Sequence, residues 1–321
     1  MNLAKQTTLI LLASQIIWPA SAVAQSQPKK ETCEPIGRIL KASQQNLVGK
    51  LLCSGDQIVS QISGSFVLCY FNPSEQQCRP KKQTRDSNLK KCPLPSRSFC
   101  NRRKGGSRAV KPRIITPYGR WLLEPRPQFS WSAVDGATRY RFEFGSPRKN
   151  LWSKTTTSAF LEYPDEHAPL SPGNRYKVNV IAYKNEVPIV ADSSIFRLLK
   201  TEDAKDLQQM IGLIRSFKLD PDREAYLDLN AAYLSKGVLD ESIKVLEARI
   251  QAGSSHPEIF TVLAERFIDV RLLDEAREKY LKAMQLAKSQ NNQVALEKAQ
   301  AGLQALDQYQ SQLPDKTNGA Q

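Results

Sequence analysis

The clearest alternation of apolar and polar positions lies in the middle of the chain. Residues 140–144 read Tyr-Arg-Phe-Glu-Phe, and residues 176–183 begin with the same alternation, which is typical of strands with one buried face. Turn-forming residues separate these segments at 135–136, 146–147 and 171–174. Strands at intervals of about ten residues, with no helical period, predict a β-sandwich over residues 121–200.

The period becomes helical near Thr201, where the chain repeats itself at an offset of 34 residues. A repeat of this length predicts helical hairpins that bury their apolar faces against one another. We expect a helical domain over residues 202–310, capped by helices at about 202–217 and 291–310, and a disordered tail over 311–321. The repeat is carried by Tyr226, Leu229, Tyr233, Ser242, Leu246 and Arg249, which return as Phe260, Leu263, Phe267, Ala276, Tyr280 and Ala283.

The first 24 residues have the features of a secretory signal peptide. Lys5 precedes an apolar run from Leu9 to Trp18, and Ala22-Val23-Ala24 forms an A-x-A cleavage site. The run is too short to span a membrane, and Pro19 ends it. We expect cleavage before Gln25, export to the periplasm or cell envelope, and no transmembrane span in the mature chain.

Short apolar runs with turn signals predict a small β module over residues 25–100. Residues 49–58 read as a strand, a Ser-Gly-Asp turn and a second strand, and residues 65–71 form a strong strand signal. All six cysteines lie in this region, and an even set in one short exported segment predicts disulfides whose pairing the sequence leaves open. A zinc site would need CxxC or CxH pairs, and no CxxC occurs. We predict disulfides and no metal at Cys33, Cys53, Cys69, Cys78, Cys92 and Cys100.

Charge is concentrated in residues 79–120. The chain has a net charge of +14, and this segment holds fourteen basic residues against the one acid Asp86. Its Pro, Ser and Gly content and its few apolar groups predict a basic linker that overlaps the end of the β module. Its charge is suited to a polyanion such as an acidic glycan or anionic lipid headgroups, or it serves only as a solvated tether. Export and few aromatic residues argue against nucleic acid. The candidate polyanion contacts are Arg97, Arg102, Arg103, Lys104 and Arg108.

Several motifs resemble known families. Leu52, Gly55, Asp56 and Ile58, followed by the apolar run from Phe66 to Tyr70, resemble the periplasmic FecR-like domain, although Gly55-Asp56 alone is also an ordinary turn. Residues 127–131, 134–140 and the L-x-P-G-x-x-Y pattern of 170–176 resemble a fibronectin type III domain. That resemblance implies that Trp131 and Tyr176 are core residues and that the Tyr176 hydroxyl bonds backbone upstream in a tyrosine corner.

The 34-residue repeat is similar to tetratricopeptide (TPR) repeats, most closely over residues 274–283. The order of these parts, with a lead-in from Pro112 to Pro117, resembles exported multidomain proteins of cyanobacteria. Together they imply a multidomain β + α fold. It would comprise a disulfide-tied β module, a fibronectin III-like sandwich and C-terminal α-helical TPR hairpins.

TPR arrays bind peptides or helices in a groove lined by their first helices, and the resemblance carries this role to specific positions. The mixed acidic and apolar character of these positions favours a neutral or basic partner. Alternatively, the short array only packs against the sandwich. The groove positions are Glu224, Leu227, Ala231, Leu234, Glu258, Thr261, Glu265 and Ile268.

Signals of catalysis are few. The chain has no G-x-S-x-G, no H-E-x-x-H and no phosphate-binding glycine loop, and its two histidines, His167 and His256, are far apart. Acidic pairs at 240–241 and 274–275 suit helix N-termini. We expect no enzyme and no cofactor. The expected function is an envelope scaffold that docks a protein through its helices, with polyanion binding by residues 79–120 as the alternative.

Overall fold

The computed structural model describes residues 33–56, 65–71, 78–81 and 111–312, of which 79–81 are described by their backbone only. The architecture is a small β module, a β-sandwich and a helical domain in chain order, which confirms the predicted fold class.

The β module is a four-stranded sheet of order β2-β1-β3-β4. Its strands are β1 (Pro35–Ala42), β2 (Leu51–Cys53), β3 (Phe66–Tyr70) and β4 (Cys78–Lys81), and a short 3-10 turn spans Gln45–Leu47. Cys69 and Cys78 stand opposite each other on β3 and β4 and form a disulfide. Cys33 and Cys53 each take part in a disulfide as well, so the prediction of disulfides is confirmed at four cysteines. Cys92 and Cys100 lie outside the described residues.

The sandwich packs two sheets around a core of aromatic and branched side chains. One sheet has the order β10-β7-β5, and the other has the order β6-β12-β11-β8-β9. Phe129, Phe142 and Phe144 lie at the centre, each with at most 1% of its surface exposed. The strands are β5 (Ile114–Thr116), β6 (Trp121–Leu122), β7 (Phe129–Trp131), β8 (Arg139–Ser146), β9 (Lys149–Thr156), β10 (Phe160–Leu161), β11 (Arg175–Lys184) and β12 (Val187–Leu198).

The predicted tyrosine corner is present. The Tyr176 hydroxyl accepts a hydrogen bond from Ser171 N–H at 2.8 Å, five residues upstream. Trp131 is buried and stacks on Phe142, with ring centroids 5.8 Å apart. Both residues are therefore core residues, as the fibronectin III resemblance implied.

The basic segment 79–120 is not a linker throughout. Its first residues extend β4, and its last ten residues enter the sandwich, where β5 pairs with β7. Lys111 Nζ lies 2.7 Å from Asp192 Oδ1. The apolar residues Ile114 and Ile115 pack against the sandwich and the helices, so this end of the segment belongs to the fold. The net charge of the whole segment does not indicate this. Residues 82–110, including all five candidate polyanion contacts, lie outside the described residues.

The helical domain begins with α1 (Thr201–Ser216), followed by two hairpins and a final helix. The first hairpin runs from α2 (Pro221–Arg223) through a π-helical segment (Glu224–Leu229) into α3 (Asn230–Ser235), and returns as α4 (Leu239–Gln251). The second pairs α5 (Pro257–Asp269) with α6 (Leu273–Ser289), and α7 (Gln293–Ser311) closes the stack. Gly237 and Arg271, 34 residues apart, both have positive φ at the turn between the helices of their hairpins, which confirms the repeat. No helix within the described residues is long and apolar enough to cross a membrane.

Candidate interaction site

The first helices of the two hairpins start at well-defined points. Asp220 precedes Pro221, and its Oδ1 accepts a hydrogen bond from Arg223 N–H at 3.0 Å. His256 precedes Pro257 in the second hairpin. Proline fits the first turn because the N–H that it lacks has no intrahelical acceptor there.

The structure buries most of the predicted groove positions. Glu224, Leu234 and Glu258 are partly exposed. Five others are at least 92% buried and offer no side-chain surface to a partner in this arrangement: Leu227, Ala231, Thr261, Glu265 and Ile268. The open part of the predicted groove is therefore restricted to two glutamates and one leucine.

Glu265 belongs to a charged cluster inside the helical domain. Arg266, only 1% exposed, places Nη2 3.5 Å from Glu265 Oε2 and Nε 3.4 Å from Asp269 Oδ2. Burial raises the pKa of Glu265 and raises that of Tyr280 well above its usual value. The Tyr280 hydroxyl has no hydrogen-bond partner among the described groups. This cluster is an internal feature of the domain and not a surface that a partner could reach.

Glu258, in the first turn of α5, pairs with a histidine. His256 Nδ1 lies 2.7 Å from Glu258 Oε2, and the His256 ring lies 5.2 Å from that of Tyr226 on the first hairpin. The hydrogen bond with Glu258 raises the pKa of His256. Burial acts to raise the pKa of Glu258, but the contact with His256 outweighs it and the pKa is lowered. The pair keeps a negative carboxylate at this position near neutral pH.

A buried ion pair joins the β module to the first hairpin. Arg38 on β1 donates from Nε to Asp228 Oδ1 at 2.6 Å and from Nη2 to Asp228 Oδ2 at 3.2 Å. Arg38 Nη1 also donates to the carbonyl oxygen of Gly49 at 2.7 Å. Burial raises the pKa of Asp228, and the Arg38 hydrogen bond opposes that shift. Asp228 lies in the π-helical segment, a rare backbone form that is often found at functional positions.

The helical domain shares its apolar core with both β parts. Leu40 of β1 and the Cys69–Cys78 disulfide pack with Met210, Ile211 and other residues of α1 and α3. Because these contacts cover α1, the helical domain is not an independent unit.

The connection between β5 and β6, and Trp121 at the start of β6, also lie against the helices. Tyr118 places its ring 6.4 Å from that of Phe267, and its N–H donates to Asp240 Oδ1 at 2.9 Å. Trp121 approaches Gly237 so closely that a Cβ there would lie 3.2 Å from the indole. These contacts hold the sandwich at the loop ends of both hairpins.

Sequence reasoning did not identify Arg38, Asp228 or Arg266. The repeat contains one indication that Asp228 is buried. The equivalent position of the second repeat, 34 residues later, is the apolar and buried Val262. No local pattern marked Arg38 as its partner. Among the described residues, no group of three or more His, Cys, Asp and Glu side chains could hold a metal ion.

No protein-family model matches the chain, and no curated protein matches it. The FecR-like interpretation of the β module therefore remains a prediction. Among solved structures, PcrH from Pseudomonas aeruginosa is 21% identical over 33% of this chain and 83% of its own, with a TM-score of 0.28.

Two fibronectin type III structures also match. FN3tt is 15% identical over 28% of this chain and 96% of its own, with a TM-score of 0.23. The fn3 domain of the human collagen alpha-1(XX) chain is 18% identical over 30% of this chain and 92% of its own, with a TM-score of 0.24. The assignment of this chain as a sandwich joined to helical hairpins rests on its own strand order, tyrosine corner and repeat.

Proposed function

We propose that this protein is a non-enzymatic, exported scaffold of the cell envelope that docks a protein partner through its helical hairpins. The observation that carries the proposal is the pair of partly exposed carboxylates, Glu224 and Glu258, one on the first helix of each hairpin. Residues 201–321 carry a net charge of −4, from fifteen basic and nineteen acidic residues. Both features favour a partner segment that is basic or neutral.

The β module and the sandwich serve in this proposal as a rigid support. Arg38, Tyr118 and Trp121 attach them to the hairpins, so the docking surface keeps a fixed position relative to the rest of the chain. Disulfides in the β module agree with an oxidising compartment and hence with export.

The test uses the whole mature chain, because the helices share their core with the β module. The chain is immobilised and exposed to envelope extract at low and at high salt. We expect retention of a specific protein at high salt and its loss from the Glu224→Gln/Glu258→Gln variant. The matched control is Glu278→Gln/Glu297→Gln, which removes two exposed carboxylates elsewhere on the helices. Equal capture by both variants would contradict the proposal.

The alternative function is polyanion binding by residues 79–120, supported by fourteen basic residues against one acid in that segment. Neutralisation of Arg102, Arg103 and Lys104 would then abolish retention, and the binding would weaken steeply with ionic strength. Docking by the hairpins would not depend on Arg102, Arg103 and Lys104. It would weaken less with ionic strength, because two carboxylates and not fourteen cations are involved.

A further inference from the structure

Two arginines face each other on the open side of the five-stranded sheet. Arg175 on β11 stands directly opposite Arg197 on β12. Their neighbours Tyr176 and Phe196 point into the core, so both arginines lie on the outer face. Like charges directly opposite each other on a sheet are unfavourable. The fold therefore maintains a repulsive pair that its own stability does not require.

Further cations continue this line across the sheet. Lys177 lies two residues beyond Arg175, on the same face of β11. It lines a cavity of about 170 Å³ together with Arg148 and Lys149 from the β8–β9 turn. We call Arg148, Lys149, Arg175, Lys177 and Arg197 the cationic row. It runs from β12 to β9, which is three strand spacings, or about 14 Å.

The described residues provide no counter-ion for the cationic row. Within the described part of the chain, none of its five side chains takes part in an ion pair. One acid, Glu143, lines the cavity. Its Oε1 lies 3.1 Å from Arg141 Nε, and its Oε2 accepts a hydrogen bond from Asn179 Nδ2 at 3.3 Å. Glu143 is thus already paired, and the row keeps its full positive charge.

We propose that the cationic row is a binding site for an acidic polysaccharide. A linear polyanion that crosses the strands would meet the cations in succession and relieve the repulsion between Arg175 and Arg197. Three of the five cations are arginines, whose planar donors match carboxylate and sulfate groups. Aromatic rings for base stacking are not open beside the row, because Arg197 lies over the Trp121 ring at 5.2 Å, and this disfavours single-stranded nucleic acid.

The row adjoins the end of the basic segment, because Arg197 N–H donates to the carbonyl oxygen of Arg120 at 2.8 Å. None of its five cations belongs to residues 79–120 or to the hairpins. The proposal does not depend on protein docking by the helices. It concerns a different set of charges from the basic segment, so the two polyanion sites can be tested against each other in one chain.

The experiment measures binding of a size-fractionated oligogalacturonate to the mature full-length chain. The row variant is Arg148→Gln/Arg175→Gln/Lys177→Gln, which leaves Arg197 over Trp121. The matched control, Lys205→Gln/Lys282→Gln/Lys288→Gln, removes the same charge from exposed helix positions. A third variant neutralises Arg102, Arg103 and Lys104. The melting temperature of the row variant at low salt should not fall below that of the parent, because the substitution removes repulsion.

We expect the parent chain to bind at about 50 mM salt and to lose most of its affinity by about 200 mM. The row variant should bind at least about tenfold more weakly, and its salt slope should be smaller by about 2, since three contacts are lost. The lysine control and the variant that neutralises Arg102, Arg103 and Lys104 (the segment variant) should bind like the parent. Unchanged binding by the row variant would overturn the proposal, as would loss of binding in the segment variant alone. Preference for phosphatidylglycerol vesicles or oligothymidylate over the glycan would also overturn it.

Discussion

Arg38 and Asp228 are 190 residues apart in the chain, yet they form a buried two-point ion pair between the β module and the first helical hairpin. Asp228 is fully buried and Arg38 is 5% exposed. A pair of this kind contributes less to net stability than its short distances suggest, because both charges lose their hydration. Its larger effect is on specificity, because any other placement of the module would leave one charge buried without a partner.

Breaking that pair should be costly. We predict that Asp228→Asn lowers the free energy of unfolding by about 3–5 kcal/mol, since Arg38 remains buried without its counter-charge. Replacement of both partners, as Arg38→Met/Asp228→Leu, should recover most of the loss. Urea denaturation of the mature chain measures both effects. As a control, Asp165→Asn removes an exposed partner of Arg126, 3.6 Å away, and should change stability by less than about 1 kcal/mol. A double variant as unstable as the single one would show that the cost is not electrostatic.

Two helical glycines should respond in opposite directions to alanine. A Cβ at Gly302 in α7 would lie 2.4 Å from the buried ring of Tyr280, whereas one at Gly212 in α1 would meet nothing within 4 Å. We predict that Gly302→Ala destabilises the protein by about 1–3 kcal/mol through overpacking. Gly212→Ala should stabilise it by up to about 1 kcal/mol, because alanine has the higher helix propensity. Thermal unfolding of the two variants side by side tests the packing of α7 on α6, and equal effects would contradict it.

The sequence was informative where the fold depends on local periods. Alternation and the residues around Tyr176 located the sandwich, and the 34-residue repeat located both hairpins. Contacts between distant segments have no such period, which is why the pairing of Arg38 with Asp228 could not be predicted. The groove positions show the same limit, because a repeat pattern identifies a helix face but not what packs on it. Thr261 and Ile268 therefore satisfy the TPR pattern and are nevertheless buried.

The tyrosine corner offers a test of the sandwich alone. Tyr176→Phe removes the acceptor of the Ser171 N–H, a bond of 2.8 Å at a buried residue. We predict a loss of about 0.5–1.5 kcal/mol, the net contribution of a typical hydrogen bond, because Ser171 is exposed and water can reach its N–H once the hydroxyl is gone. Tyr183→Phe on the same strand is the matched control, since Tyr183 is partly exposed and lies beneath Arg139. Comparable losses from the two variants would mean that the corner hydrogen bond does not matter to stability.

Glu241 should make the joint between sandwich and helices sensitive to pH. Burial, followed by the neighbouring charge of Asp240, raises the pKa of Glu241 from 4.5 to about 7. Between these values the unfolded chain releases a proton that the folded chain retains, so stability falls as the pH rises from about 5 to 7. The whole shift corresponds to about 3 kcal/mol, of which about 2 kcal/mol is lost between pH 5 and 7. We predict that Glu241→Gln removes this part of the pH dependence.

His256 contributes in the same direction, because its raised pKa also favours the protonated folded state and that benefit is lost as the pH rises. A shallower slope should therefore remain in Glu241→Gln. Burial also raises the pKa of other carboxyls, so they add to the slope that remains: Glu224, Asp228, Glu247 and Glu265. Urea denaturation at pH 5, 6, 7 and 8 isolates the contribution of Glu241 when Glu241→Gln is compared with the exposed control Glu278→Gln. If Glu241→Gln kept the full slope of the parent chain, the pKa of Glu241 would not be raised in the folded protein, and the prediction would be wrong.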